Sequence, residues 1–171
     1  MKSRAYVIYL FFIFILLAML QADFLHSLSF FNARPDFLLI LSAVTAFYTG
    51  GSFTLPAVCS FLAALCCSAF SDGSPAFFVC IYTAAAYIGY FIRDRRFASS
   101  FYAPYAVTAA ACIVALTGYI IFFAITGDHV LVPEIIKTAP AYIVINIVFA
   151  FPIICIVKIF AAPRDPFFGF K

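Results

Sequence analysis

The chain contains no tryptophan, and charged residues make up only 10% of its 171 positions. That is too little charge to solvate the surface of a water-soluble domain. Its long hydrophobic runs have no Asp, Glu, Arg or His in their interiors. Charges deep in a bilayer are costly and are kept for a purpose, so this absence argues against an intramembrane enzyme or a proton relay. The metal-site spacings Cys-x-x-Cys and His-x-x-x-His are missing, as is a Gly-rich phosphate loop. Cys59, Cys66, Cys67, Cys80, Cys112 and Cys155 all fall inside hydrophobic runs and read as small packing residues. His26 and His129 sit in loops without ligand spacing, so no metal and no cofactor is expected. The densest charge cluster, Arg93-Asp94-Arg95-Arg96, reads as a topology signal and not as a nucleic-acid patch. Nothing alternates in the ten-residue pattern of a membrane barrel. No repeat, low-complexity tract or linker marks a second domain.

What the chain does have is apolar length: hydrophobic residues reach 67% and the mean hydropathy is +1.14. Backbone amides in hydrocarbon find no water and must bond within their own helix, so the expectation is an all-α integral membrane protein. Six short transmembrane helices in a single domain over residues 1–171 are expected at about 5–21, 36–49, 53–70, 76–92, 101–126 and 139–160. The first run follows Lys2 and Arg4, lacks a small-residue cleavage site after Leu20, and reads as a retained helix. Gly50 and Gly51 mark a tight reversal between the second and third runs. At about 1.5 Å per residue the second run reaches about 21 Å, short of a hydrocarbon core of roughly 30 Å. A re-entrant hairpin and two short spans both remain open. The most polar connection, from Gly127 through Glu134 and Lys137, reads as a short loop.

If the runs alternate, Lys2, Arg4, Arg93, Arg95, Arg96, Lys158, Arg164 and Lys171 share one face, and only Arg34 and Lys137 lie opposite. The positive-inside rule then places both termini in the cytoplasm. Asp23, Asp36, Asp72, Asp128 and Glu134 fall on the outer face, where solvated loop carboxylates are the ordinary explanation.

Small residues recur at helical spacing at Ser60, Ala64 and Ser68, at Ala85 and Gly89, and at Ala111 and Ala115. Such stripes let helix backbones approach closely. Asn146 is an amide inside a predicted span, and an unpaired amide in lipid is costly, so it is expected to bond a neighbouring helix. Tyr102 and Tyr105 suit an interfacial belt.

The most distinctive stretch is Arg34-Pro35-Asp36 followed by Phe37-Leu38-Leu39-Ile40-Leu41. Pro35 suits a first helical turn, and Asp36 sets a carboxylate against the positive end of the helix dipole, at the outer interface. This stretch resembles the Arg-Pro-Asp and aliphatic run that opens the second helix of the rod shape-determining MreD family. The resemblance extends over nearly the whole chain. It takes in the basic N-terminus, the small-residue third helix, Tyr87-Ile88-Gly89-Tyr90 leading to Arg93, and Asn146 through Pro152 in the last helix. The chain departs from the family in the third run, where Ser68 stands at the place of a family Asp and Asp72 lies four residues later.

The resemblance implies a non-catalytic membrane scaffold of the cell-wall elongation machinery in the bacterial cytoplasmic membrane. Its partner would be an MreC-like protein, with MreB, RodA and a class B penicillin-binding protein reached indirectly. It also implies a fold similar to the substrate-binding subunits of energy-coupling-factor vitamin transporters, the rival function on a like architecture. The rival requires a deep pocket with converging polar groups, of which the sequence offers few. Arg34, Pro35, Asp36, Asn146 and Pro152 are the candidate partner-binding or structural residues.

Overall fold

A computed structural model describes residues 2–23, 32–49, 53–69, 74–93, 100–128 and 130–161. The regular elements among them are six α-helices: α1 (Lys2–Asp23), α2 (Phe37–Tyr48), α3 (Thr54–Ala69), α4 (Pro75–Arg93), α5 (Ala103–Thr126) and α6 (Leu131–Ala161). Three of them, α4, α5 and α6, are long and apolar enough to cross a membrane. At about 1.5 Å per residue, the 12 residues of α2 and the 16 of α3 extend only about 18 and 24 Å.

Local sequence explains several helix ends. Asn32 takes the left-handed conformation (φ 61°), which asparagine tolerates, and this turns the chain towards α2. Asp36 caps α2 by accepting from the Leu39 N–H. Pro75 opens α4 in the first turn, where its missing N–H costs nothing. Gly127, at φ 88°, ends α5 in the left-handed conformation.

The last helix differs from the sequence expectation. Leu131 to Thr138, expected as part of a polar loop, forms the first two turns of α6. Pro133 lies in the first turn, Glu134 favours the positive end of the dipole, and the Thr138 hydroxyl donates to the Glu134 carbonyl at 3.0 Å. Pro140 and Pro152 are carried inside the same 31-residue helix.

The centre of the bundle is α2, which packs against each of the other five helices. Every residue from Phe37 to Phe47 is buried. A helix that is apolar on all sides belongs inside a bundle, so its shortness leaves no gap facing lipid. The expected small-residue faces meet partners except at Ser68: Ser60, Ala64, Ala85, Gly89, Ala111 and Ala115 are buried, and Ser68 is half-buried. At Gly89 even a methyl group would overlap the Ala43 carbonyl oxygen, so α2 and α4 touch backbone to backbone. The outer surfaces remain apolar, with Phe12, Leu16, Ile113, Ile121, Val144 and Val148 exposed, as for a protein whose solvent is lipid.

His26, Gly50, Gly51, Asp72, Asp94, Arg95, Arg96, His129, Arg164 and Lys171 lie outside the described residues.

Candidate functional site

A buried helix N-terminus must find partners for its free N–H groups without water. At the start of α2 those partners come from distant parts of the chain. The Asp36 N–H donates to Asn146 Oδ1 at 2.7 Å, across 110 residues. The Leu38 N–H donates to Gln21 Oε1 at 3.1 Å, and the Leu39 N–H donates to Asp36 Oδ1 at 3.0 Å. Asn146 is itself held by its Nδ2, which donates to the Tyr142 carbonyl one turn earlier at 2.8 Å.

The Asp36 carboxylate ties in α1 and α4. Oδ1 accepts from Gln21 Nε2 at 3.3 Å and from the Tyr82 hydroxyl at 2.8 Å, and Oδ2 lies 3.0 Å from that hydroxyl. A hydroxyl carries one proton, so the two oxygens share a single donation and Oδ2 keeps acceptor capacity. The residue is only 9% exposed. Gln21 of α1, Asp36 before α2, Tyr82 of α4 and Asn146 of α6 thus form one polar knot among apolar helices.

The knot lies deeper than the sequence suggests. Asn146 stands about 22 Å along α6 from Leu131, and Tyr82 about 10 Å along α4 from Pro75. Asp36, at the N-terminus of α2, is therefore level with the middle of α6. Its burial corrects the expectation of a solvated loop carboxylate at this position. The reason is tertiary: α2 starts below the ends of its longer neighbours, which rise past it.

Above the knot these neighbours enclose a cleft of about 380 Å³. Gln21, Arg34, Asp36, Tyr119, Thr138 and Tyr142 supply its polar lining, while Phe78, Leu116, Phe123 and Ile135 supply apolar wall. The end of α1, the start of α2, the end of α3 at Cys67, the start of α4, the second half of α5 and the first half of α6 meet there. Consecutive helices therefore run in opposite directions. A second hollow of about 440 Å³ shares Asn32, Phe123, Ile135 and Thr138 with the cleft and reaches Glu134 and Lys137. The Tyr142 hydroxyl is buried with no hydrogen-bond partner.

Of the candidates read from sequence, Pro35, Asp36 and Asn146 are buried and adjoin one another, while Arg34 is exposed on the cleft rim. Pro152 is exposed farther along α6 and is not part of the knot. Ser68 is half-buried and donates to the Leu65 carbonyl of its own helix at 2.9 Å. Gln21, Tyr82 and Tyr142 were missed. A tyrosine in an apolar run seeks a partner for its hydroxyl, and that signal could have singled out Tyr82. No group of three or more His, Cys, Asp or Glu suited to a metal occurs among the described residues. No family model matches the chain, and no curated protein or solved structure matches it.

Proposed function

We propose that this chain is an MreD-like scaffold subunit of the rod elongation machinery. It crosses the bacterial cytoplasmic membrane six times, with both termini inside and the cleft opening outward. The observation that carries the proposal is the hydrogen bond from Asp36 to Asn146. The two most distinctive parts of the resemblance, Arg34-Pro35-Asp36 and the Asn146 segment, are far apart in sequence and adjacent in the fold. Residues that build one structural unit are expected to persist together in a family.

In this reading the knot fixes the depth and tilt of α2, and the bundle presents a defined apolar face to the membrane helix of an MreC-like partner. Close packing and interhelical hydrogen bonds hold such helices together in lipid, since apolar burial gives little drive there. The protein catalyses no step, and MreB, RodA and a class B penicillin-binding protein are reached through the partner. Depletion of the protein from a rod-shaped bacterium that carries it tests the proposal: cells should round while membrane potential is maintained. Rods of unchanged width and length would contradict it.

The cleft favours a second reading, a substrate-binding subunit of an energy-coupling-factor vitamin transporter. It gathers more polar groups around one volume than the sequence advertised. Restoration of vitamin uptake in a strain lacking such a subunit would select this reading over the scaffold.

A further inference from the structure

The cleft above the knot has the chemistry of a binding site. Its volume of about 380 Å³ lies within the range of small-molecule sites. At its floor stands the buried carboxylate of Asp36, whose polar partners Leu39, Gln21 and Tyr82 are neutral donors. A carboxylate removed from water must either take up a proton or meet a cation, and its neutral donors supply no charge. Arg34 is exposed on the rim, where its guanidinium remains solvated. The second, independent observation is the Tyr142 hydroxyl. It belongs to a cleft-lining residue one turn from the Asn146 side chain that anchors Asp36, and it is buried without a partner.

We propose that the cleft binds a small organic molecule bearing a protonated amine. An ammonium group carries three donors and no acceptor. It matches the acceptor capacity left on Asp36 Oδ2 and the lone pairs of the Tyr142 hydroxyl. The aromatic lining, Phe78, Tyr119, Phe123 and Tyr142, offers ring faces to a cation, and Leu116 and Ile135 offer apolar wall to the body of the molecule. An anion meets repulsion from the floor. No cluster of three or more His, Cys, Asp or Glu that could hold a bare metal ion occurs among the described residues. The cleft carries this inference whether or not the chain joins a rod complex.

Equilibrium binding of radiolabelled phenethylamine to the purified full-length protein in lipid nanodiscs tests it, with the neutral isostere 2-phenylethanol as competitor. Saturable binding is expected, with the alcohol weaker by at least about tenfold. Asp36→Asn should weaken amine binding by at least about tenfold. Tyr142→Phe should weaken it about threefold or more while leaving the unfolding temperature unchanged, because the lost hydroxyl bonds nothing in the protein. If Asp36→Asn does not fold, Tyr142→Phe and the amine and alcohol pair decide the matter. Absence of saturable binding tighter than about 1 mM, equal competition by the alcohol, or full binding by Tyr142→Phe would overturn the proposal. Loss of rod shape on depletion, or failure to recover an MreC-like partner, leaves these outcomes unaffected.

Discussion

Asn146 shows how much one amide can hold in an apolar bundle. It accepts from the Asp36 N–H and donates to the Tyr142 carbonyl, so truncating it strands a buried donor. Leaving such a group unsatisfied costs about 1–3 kcal/mol. Asn146→Leu, which keeps the branched shape at a larger volume and removes both bonds, should lower the thermal unfolding midpoint in detergent by at least the equivalent of that cost. An unchanged midpoint would mean that the bond contributes nothing. The glycines offer a paired test. Gly89→Ala forces a methyl against the Ala43 carbonyl, which belongs to a packed backbone, and should destabilise by about 1–3 kcal/mol. Gly118→Ala meets only the Ile81 side chain at 3.0 Å, which can rotate away, and should cost clearly less in the same unfolding assay. At this scale the sequence showed which residues were unusual but not whom they meet. Asp36 was legible as a cap because its partner Leu39 is three residues away. Gln21 and Tyr82 were not, because their partner is fixed by packing.

Among the helices, α2 and α6 depart most from expectation. Apolar length alone could not say whether α2 crosses lipid or hides from it, since both readings require the same residues. The bundle resolves its surroundings: neighbours cover it on every side. Leu39→Ala should therefore behave as a core truncation and cost about 2–5 kcal/mol, whereas Ile121→Ala on the exposed face of α5 should stay within about 0.5 kcal/mol. Equal costs in an unfolding titration would contradict a central α2. The start of α6 was misread for a different reason. Proline and charge mark loops in general, yet Pro133 and Glu134 fall in the first turn, where both are favoured. The small-residue stripes were legible because helical spacing predicts a shared face without knowledge of the partner.

For the whole molecule, charge and apolar surface have to agree with one orientation. Cytoplasmic termini and an outward cleft predict that a cysteine placed at Asp128 labels with an impermeant maleimide in intact cells, while one at Tyr102 labels only after permeabilisation. Both variants are made in a background lacking the six native cysteines. The reverse pattern would invert the topology. The all-helical class followed from composition, because backbone in hydrocarbon has few options. The cleft did not, because it arises where a short helix meets longer ones, a property that no single segment possesses. The central claim is that the chain scaffolds cell-wall elongation through an MreC-like partner. Affinity purification of the tagged protein from membranes of a rod-shaped bacterium that carries it, with mass spectrometry of both proteins and small molecules, tests it most directly. The account predicts recovery of an MreC-like protein in stoichiometric amount. A purified chain that brings down no such protein, and instead the energy-coupling components of a vitamin transporter, would contradict it.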